Sequence, residues 1–342
     1  MTKKVAVLGA GSWGTVLANL LTENKAQVSL WARNEKCINE INEKHTNEHY
    51  LGDFKLHDEL HGTTDLPAAI KDADVILFVV PTNAIRPVAK SVLPYLEKTD
   101  KKPIIVHAAK GLEQKSELRI SQVLEQVIPA DLMNGLVVIS GPSHAEDVAK
   151  KDITTLTAAS KSVKSAQTIQ KLFMNSYFRL YTNTDVIGVE MGAALKNVIA
   201  IGAGALHGLG YGDNSKAALI TRGLAEITRL GVSQGAKAVT FSGLSGVGDL
   251  IVTCTSVHSR NWRAGNELGH GETIQDVLDN MGMVVEGYYT AAVVHKLAKQ
   301  TGIEMPISEA VYQVLYNDAP VREVIVDLMK RKGKPEFDFY KK

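Results

Sequence analysis

The sequence predicts an α/β protein with two domains, a doubly wound sheet over residues 1–187 and an all-helical domain over residues 188–342. Three observations carry this prediction. A strand, a glycine-rich turn and a helix open the chain over residues 4–22, strand and helix patterns alternate from residue 63, and helical patterns dominate from residue 185. A chain of 342 residues is long enough for two domains that each have a core of their own.

The composition is that of an ordinary soluble globular protein. Hydrophobic residues make up 45% of the chain and charged residues 22%, which excludes a disordered or fibrous protein. The formal net charge of +1 argues against a nucleic-acid partner. The two cysteines, Cys37 and Cys254, cannot form a disulfide framework and fit a reducing compartment. We therefore expect a cytoplasmic protein.

No stretch is expected to span a membrane. Glycines interrupt the apolar run near the N-terminus, which is also too short, and the longer apolar stretch at 188–206 contains a lysine. We expect a homodimer that binds a small molecule and does not insert into a membrane.

The glycine-rich turn has the spacing G-x-G-x-x-G at Gly9, Gly11 and Gly14. The first glycine allows the tight turn, the second lets the backbone approach a pyrophosphate, and the third lets the helix pack on the strand. The N-terminus of the helix attracts the phosphates. Because the turn directly follows an apolar β-branched strand and precedes an apolar helix, we interpret this unit as the dinucleotide-binding start of a Rossmann-type fold.

Cofactor preference depends on the end of the second predicted strand, residues 27–33. An NAD-specific fold usually has an acidic residue there for the adenosine ribose hydroxyls, whereas this chain has Arg33. A guanidinium can pair with a 2′-phosphate, so the sequence favours NADP(H), with Lys36 as a second cation nearby. NAD(H) stays open as a cofactor, and a solvated strand end is the alternative for Arg33.

Residues 38–62 are polar, and we expect an irregular segment there. The letters HTNEH at 45–49 match the zinc motif H-x-x-E-H. That motif needs a buried helix with both histidines on one face, and the polar neighbours here argue against one. We therefore predict no metal site, and we expect Tyr50 to border the cofactor.

Beyond residue 63, strands are expected at 74–80, 103–111, 135–140, 154–160 and 177–183, with helices at 66–73 and 85–96. Ligands of a doubly wound sheet lie beyond the carboxyl ends of its strands, so Pro81, Lys110 and the residues after 140 face one crevice. Lys110 could meet a substrate or cofactor phosphate there, or be a surface lysine that opens a helix. Gly141 exposes backbone, and Ser143 is predicted to cap a helix starting near Ala145.

The most apolar stretch, residues 188–206, has Glu190 and Lys196 as its only charged residues. Such a helix must be buried, so Lys196 needs an anion. We interpret it as a proton donor in a closed site; a structural salt bridge or a stem that reaches the surface is the alternative. Further helices are predicted at 216–231, 243–252, 261–269, 273–281, 287–301 and 308–316.

Two clusters of the helical half complete the candidate site. In the first, Asp249 precedes Thr253 by one helical turn, and its carboxylate could orient a lysine or simply cap a helix. In the second, Ser259 is a predicted N-cap followed by Arg260 and Asn261. Free backbone N–H groups, the helix dipole and a guanidinium favour a phosphate there, with ordinary capping as the alternative.

The sequence resembles the bacterial-type NAD(P)-dependent glycerol-3-phosphate dehydrogenases over nearly its whole length. The resemblance implies reduction of dihydroxyacetone phosphate to sn-glycerol 3-phosphate, a precursor for glycerophospholipid synthesis. It rests on the segments GAGSWGTVLA, VHAAKGLE, ISGPSHAEDVA, EMGAALKNVIAIGAG, GDNSKAALITRGLAEI, SGVGDLIVTCTS, SRNWRAG and VVEGYYTA.

The resemblance also implies a role for each matching residue. Lys196 would be the catalytic acid/base, with Lys110 and Asp249 beside it. The substrate site would be lined by Lys110, Gly141, Ser143, Lys196, Asn197, Asp249, Thr253, Ser259, Arg260 and Asn261. The cofactor would contact Gly9, Gly11, Ser12, Trp13, Gly14, Arg33, Tyr50, Lys110, Ala145, Arg260, Val284 and Glu286.

Features of the sequence argue against three alternative functions. Another Rossmann dehydrogenase, of the 3-hydroxyacid or 6-phosphogluconate type, would have a carboxylate-binding pattern where this chain has residues 259–261. A non-catalytic NADP-sensing protein would bind the cofactor without a reactive lysine, which the isolated charge of Lys196 argues against. A structural or lipid-surface protein would have a basic amphipathic helix, and no such pattern is found in the sequence.

Overall fold

A computed structural model describes residues 2–336 of the chain. The strands of its N-terminal half are β1 (Lys4–Leu8), β2 (Gln27–Trp31), β3 (His61–Thr63), β4 (Val75–Phe78), β5 (Ile104–His107), β6 (Leu136–Ser140), β7 (Thr154–Ala159) and β8 (Phe178–Asn183). They form one sheet in the order β3-β2-β1-β4-β5-β6-β7-β8.

Helices connect the strands and make up the C-terminal half. Those of the first half are α1 (Ser12–Glu23), α2 (Glu35–Lys44), α3 (Glu48–Leu51), α4 (Leu66–Ile70), α5 (Ile85–Leu96), α6 (Ile120–Val127), α7 (Ala145–Ala149) and α8 (Val163–Phe173). Those of the second half are α9 (Val186–Gly208), α10 (Asp213–Ser233), α11 (Asp249–Thr255), α12 (Arg260–His270), α13 (Ile274–Asn280), α14 (Glu286–Thr301), α15 (Pro306–Tyr316) and α16 (Val321–Met329).

Strand order in the sheet reverses between β1 and β4. Strands β2 and β3 follow β1 on one side, and β4, β5 and β6 continue on the other, all in parallel. The crevice between two such halves opens at the carboxyl ends of the strands. The predicted fold, a doubly wound sheet followed by a helical part, is confirmed. Strand β7 runs antiparallel to β6, and β8 pairs with β7 in parallel.

Both faces of the sheet are covered by apolar side chains. In β1, Val5 and Val7 belong to one buried layer, whereas Ala6 and Leu8 belong to the layer on the opposite face. Successive side chains of a strand point to opposite faces, so a central parallel strand reads as a continuous apolar run. This burial holds the carboxyl ends of β1 and β4 in fixed positions around the crevice.

Helix α9 joins the two halves of the molecule. Val186 and Val189, in its first turns, belong to a layer of the sheet, while Val198 and Ile199 belong to the core of the helical half. Among residues 2–336 it is also the one helix that is long and apolar enough to cross a membrane. Of its most apolar stretch of 18 residues, 89% is buried inside the protein. Helix α9 therefore lies in the core of the protein.

The expectation of an irregular segment at residues 38–62 is wrong. Helix α2 and the short α3 and β3 lie there, because Ile38 and Ile41 are buried one turn apart and Asn34 caps α2 by accepting from the Cys37 N–H. Helices α6, α8 and α16 also lack a counterpart among the sequence-based predictions.

Glycines bring the backbones of α9 and α12 into direct contact. A Cβ at Gly204 of α9 would overlap the carbonyl oxygen of Trp262, and a Cβ at Gly265 of α12 would overlap that of Ile201. No larger residue fits at either position unless the helices separate. This close crossing places the N-terminus of α12 beside the middle of α9.

We predict that Gly204→Ala lowers the free energy of unfolding by roughly 1–3 kcal/mol, because the added methyl group strains a packed backbone contact. The matched control is Gly202→Ala in the same helix, where the Cβ would lie 3.5 Å from Leu219 and Val311 side chains, an ordinary contact distance. The control should be neutral or more stable by up to about 1 kcal/mol through helix propensity. Chemical denaturation of both variants measures the difference, and equal stabilities would contradict the packing argument.

Candidate active site

Lys196 lies in the middle of α9, and its side chain is 5% exposed. Its Nζ lies 2.8 Å from Oδ1 of Asp249, at the start of α11, and donates a hydrogen bond to Oγ1 of Thr253 at 2.5 Å. The Thr253 hydroxyl in turn donates to the backbone carbonyl of Asp249 at 2.6 Å. The buried ammonium group therefore has the anion that the sequence analysis requires.

Lys110 approaches the same carboxylate from the sheet. It follows β5 by three residues, and its Nζ lies 3.0 Å from Oδ2 of Asp249. The Nζ also donates to the carbonyl of Gly141 at 2.8 Å and to Oγ of Ser143 at 3.2 Å. The carboxyl ends of β5 and β6 thus meet the helical half at Asp249.

The charges of this cluster do not cancel. Two ammonium groups share one carboxylate, which leaves an excess positive charge in a largely buried place. Burial alone would raise the pKa of Asp249, but the charges of Lys110 and Lys196 hold that pKa below its usual range. Burial, with the charge of the neighbouring Lys196, lowers the pKa of Lys110 to about 8. The negative charge of Asp249 offsets only part of this effect. Such a cluster favours an anionic ligand or developing negative charge on oxygen.

A chain of amide hydrogen bonds connects the elements around the lysines. Nδ2 of Asn197, next to Lys196, donates to the backbone carbonyl of Lys110 at 2.8 Å. Nδ2 of Asn261 donates to Oδ1 of Asn197 at 3.0 Å, and the Gly287 N–H donates to Oδ1 of Asn261 at 2.8 Å. The chain fixes the starts of α12 and α14 against α9.

The start of α12 presents a guanidinium group. Ser259 caps the helix as predicted, because its Oγ accepts from the backbone N–H of Trp262 at 3.2 Å. Arg260 follows with an exposed side chain. The hydrogen bond between Asn261 and Asn197 places the start of α12 beside the middle of α9. A helix N-terminus combined with a guanidinium group favours a phosphate.

The glycine-rich turn fits a dinucleotide. Gly9 has φ +120°, and a Cβ there would lie 2.7 Å from the Val79 carbonyl oxygen at the end of β4. A Cβ at Gly14 would overlap the Gly9 carbonyl oxygen, while nothing lies within 4 Å of one at Gly11. Helix α1 begins at Ser12 without a side-chain cap, so its first N–H groups stay available for phosphates. Trp13 packs against an apolar layer of the sheet.

The structure places Arg33 and Tyr50 on the segment that follows β2. Arg33 is exposed and comes two residues after the strand, and the backbone carbonyl of Tyr50 accepts from Oγ of Ser12 at 3.1 Å. His45 ends α2 in the left-handed conformation and His49 lies in α3, so the zinc-like motif is not on one helix. Residues 2–336 contain no group of three or more His, Cys, Asp and Glu that could hold a metal ion.

The prediction that Ser143 caps α7 is wrong. His144 is the residue before the first turn of α7, and no side chain caps this helix. The Ser143 hydroxyl instead donates to the Gly141 carbonyl at 3.1 Å and accepts from Lys110. Tertiary contact with the lysine takes the hydroxyl away from the helix, and Ala145, the first residue of α7, is buried.

Glu286 joins the start of α14 to the loop that follows β4. It starts α14, two residues after the half-buried Val284, and its Oε1 accepts from the Thr82 N–H at 3.1 Å. Burial raises the pKa of Glu286, although the Thr82 contact and the charge of Arg260 lower it. A Cβ at Gly111, next to Lys110, would lie 2.5 Å from Oγ1 of Thr82 and 2.9 Å from Oε2 of Glu286. The loops after β4 and β5 and the start of α14 are therefore in direct contact with one another.

Two residues beside the candidate site, Ser140 and Thr82, are absent from the sequence-based candidates. Oγ of Ser140 lies 3.4 Å from Oδ2 of Asp249, and Thr82 holds Glu286. Both stand at or just beyond the carboxyl end of a strand, which is the signal that could have identified them. Glu190, the other charge of the central helix, binds Arg119 and Ser121 instead of the lysine cluster.

Comparison with protein families finds two matches that together span most of the chain. Residues 4–166 match the NAD-dependent glycerol-3-phosphate dehydrogenase N-terminus, and residues 185–326 match the corresponding C-terminus.

Individual relatives agree with the family match. The chain is 69% identical to the glycerol-3-phosphate dehydrogenase [NAD(P)+] of Lacticaseibacillus casei, over 99% of this chain and 98% of that protein. It is 65% identical to the enzyme of the same name from Latilactobacillus sakei, over 99% and 100%. The crystal structure of glycerol-3-phosphate dehydrogenase from Coxiella burnetii superimposes with a TM-score of 0.91 at 35% identity, covering 96% of this chain and 99% of that one.

Proposed function

The chain belongs to the NAD-dependent glycerol-3-phosphate dehydrogenase family, and on that premise we propose that it reduces dihydroxyacetone phosphate to sn-glycerol 3-phosphate, reversibly. The observation that carries the proposal is the buried pair of ammonium groups on one carboxylate, Lys110 and Lys196 on Asp249. The product is a precursor for glycerophospholipid synthesis. NAD(H) and NADP(H) both appear in the names of the relatives.

Each side chain of the cluster has a step that its position supports. The bound dihydronicotinamide supplies a hydride for the ketone carbon. Lys196 donates a proton to the ketone oxygen as negative charge develops there, and in the reverse direction the neutral amine removes that proton from the alcohol. Asp249 and Thr253 fix the orientation of Lys196, and Lys110 adds positive charge beside the oxygen.

The substrate phosphate has a separate binding region at the start of α12. Arg260 and the N–H groups of the capped helix offer charge-assisted and dipolar contacts, with Ser259 and Asn261 beside them. Holding the phosphate there fixes the ketone relative to the lysines and the nicotinamide. Gly141, Ser143 and Asn197 complete the proposed substrate site through their contacts with Lys110.

The proposed cofactor site combines the glycine-rich turn with the crevice that follows β4. Gly9, Gly11 and Gly14 allow backbone contact with the pyrophosphate. The other proposed cofactor contacts lie around this turn and are Ser12, Trp13, Arg33, Tyr50, Lys110, Ala145, Arg260, Val284 and Glu286. We assign NADP(H) as the preferred cofactor, because the exposed Arg33 is available for a 2′-phosphate.

We also propose a domain boundary, a homodimer and a cytoplasmic location for this protein. A domain boundary between residues 187 and 188 would leave nearly all of α9 in the helical substrate domain. A homodimer would cover the exposed apolar side chains of Val326 and Met329 on α16, a helix with no fully buried residue. The free cysteines fit the cytoplasm, and the balanced charge fits neither nucleic-acid binding nor membrane insertion.

A non-catalytic sensor and a dehydrogenase of the 3-hydroxyacid or 6-phosphogluconate type are not favoured by the relatives.

The first test combines the substrate assay with removal of the proton donor. Oxidation of NADPH and NADH by dihydroxyacetone phosphate is followed by absorbance for the native protein and for Lys196→Met. The variant keeps most of the buried stem, and Asp249 keeps Lys110 as its partner, so we expect a folded protein. Its kcat should fall by about 10²–10⁴-fold while cofactor binding, measured by fluorescence, stays nearly unchanged. Retained turnover would remove Lys196 from the proton-donor role.

A second prediction concerns the phosphate contact. Arg260→Met should raise the KM for dihydroxyacetone phosphate by about 10–150-fold, since a charge-assisted contact contributes roughly 1.5–3 kcal/mol. Both substrates are assayed at saturating cofactor, because Arg260 is also among the proposed cofactor contacts. Dihydroxyacetone, which lacks the phosphate, is the control substrate, and under these conditions its kcat/KM should be the same for both proteins. A loss that affects both substrates equally would refute the phosphate assignment.

A third prediction concerns the choice of cofactor. Arg33→Asp should lower the ratio of kcat/KM for NADPH over NADH by at least about tenfold, because a carboxylate repels a 2′-phosphate and can accept from ribose hydroxyls. Lys44→Asp, at the far end of α2, makes the same charge reversal away from the crevice. An unchanged ratio in Arg33→Asp, or the same change in both variants, would show that Arg33 does not select the cofactor.

A further inference from the structure

Residues 45–51, here called the strap, lie against the glycine-rich turn. Asn47 of the strap is 1% exposed, and although it precedes the first turn of α3, its side chain does not cap that helix. Its Nδ2 donates instead to the backbone carbonyl of Ala10 at 3.0 Å and to Oγ1 of Thr15 at 2.9 Å. The buried amide of Asn47 thus bonds the strap to the glycine-rich turn and to helix α1 after it.

The orientation of the Asn47 amide follows from its partners. A backbone carbonyl can only accept, so the NH₂ group must face Ala10. The opposite end, Oδ1, lies 3.6 Å from the thiol of Cys37, which can donate to it. The side chain therefore has a partner at each end and a single favourable orientation.

Bonds on both sides hold the strap in place. Oε1 of Glu40, on α2, accepts from the Thr46 hydroxyl at 2.9 Å and from the Glu48 N–H at 2.6 Å. On the other side, Oγ of Ser12 donates to the Tyr50 carbonyl at 3.1 Å. Asn47 lies between these two attachments, so its position relative to Ala10 is set by the strap as a whole.

The contact with Ala10 controls a peptide plane that matters for anion binding. A trans peptide is planar, so the C=O of Ala10 and the N–H of Gly11 point in opposite directions. Fixing the carbonyl towards Asn47 turns the Gly11 N–H to the opposite side of the peptide. The turn is also open at Gly11, since a Cβ built there would meet nothing within 4 Å. If this plane rotated, the carbonyl oxygen would face a phosphate and repel it.

We infer that Asn47 is a positioning residue for the dinucleotide pyrophosphate, which acts by holding the Ala10–Gly11 peptide with its N–H towards the phosphates. The inference rests on the proposed function for the identity of the anion. It concerns both dinucleotides, since the pyrophosphate is common to NADH and NADPH. It also gives a role to the segment that resembles a zinc motif in the sequence, because the middle letter of HTNEH is Asn47.

The test compares Asn47→Ala with Asn19→Ala. Asn19 is a matched control, because it is also a buried amide and lies on α1. Its Oδ1 accepts from the N–H of His57, beyond the strap, at 2.7 Å, and its Nδ2 donates to Glu23 of the same helix at 3.1 Å. Asn19→Ala loses two hydrogen bonds, and Asn47→Ala loses two together with the contact to the Cys37 thiol, so both should lower Tm. Only Asn47→Ala should raise the Kd for NADH and NADPH, by at least about tenfold, in fluorescence titrations without substrate.

Kinetics separate this effect from general damage. At saturating cofactor, Asn47→Ala should keep kcat and the KM for dihydroxyacetone phosphate within about threefold of the native values, while the KM for the cofactor rises. Asn47→Asp is a second variant that keeps the shape but turns both donors into acceptors, and its Kd should rise at least as much. Thr15→Val removes the other acceptor and leaves the Ala10 bond, so its Kd should stay within about twofold.

A Kd for Asn47→Ala within about twofold of the native value, or an equal rise in Asn19→Ala, would overturn the inference. A rise in Thr15→Val as large as that in Asn47→Ala would also overturn it, because the effect would then come from α1 and not from the peptide plane. These binding measurements need no turnover. Failure of the native protein to reduce dihydroxyacetone phosphate would therefore count against the proposed function alone.

Discussion

Two ammonium groups share one buried carboxylate at Asp249, and much of the architecture serves to bring these three charges together. Lys110 comes from the end of a sheet strand, Lys196 from the central helix and Asp249 from a helix of the C-terminal half. Moving several charges out of water costs several kcal/mol each unless their geometry and hydrogen bonds compensate. The cost of burying the Asp249 carboxylate is offset by the charges of both lysines, whereas the two lysines share a single negative charge. The remaining positive charge is a reason for the site to bind an anion, and a phosphorylated ketone supplies one.

Helix α9 makes this meeting of charges possible because its residues lie in two cores. Its first turns complete a layer of the sheet, and its later turns form the centre of the helical half. Glycines let α12 approach α9 at backbone distance, so Asn261 reaches Asn197 and the start of α12 lies beside Lys196. A wider crossing would break the contact between Asn261 and Asn197. In the proposed function, the packing of these two helices would set the distance between the binding sites for the phosphate and the ketone of the substrate.

The sequence predicts those parts of the site that follow from local rules. Periodicity and composition identify α9, the isolated charge of Lys196 implies an anion, and the glycine spacing with its flanking strand and helix identifies the turn. Ser259 is recognisable as a cap because the helix after it is regular. Ser143 has the same local pattern and is not a cap, since Lys110 binds its hydroxyl from another strand. Residues 38–62 look irregular because only two apolar residues, Ile38 and Ile41, anchor α2, and their burial depends on the sheet beneath. Thr82 has one local signal, its place just beyond the carboxyl end of a strand. Asn47 acts on groups distant in sequence, so only the folded chain reveals its role.

The two halves of the site solve the problem of anion binding by different means. At the proposed substrate site, side-chain charges would bind the anion, and helix packing positions those side chains. At the proposed pyrophosphate site, backbone N–H groups do the binding, and a backbone group can be aimed only by fixing its peptide plane. Glycines give the turn the space that a phosphate needs, but they also leave it free to rotate, because a residue without Cβ has more accessible conformations. A turn built from glycines therefore needs restraint from outside itself. The Asn47 amide, held by a strap that is bonded at both ends, supplies that restraint at the one peptide where rotation would replace a donor with an acceptor.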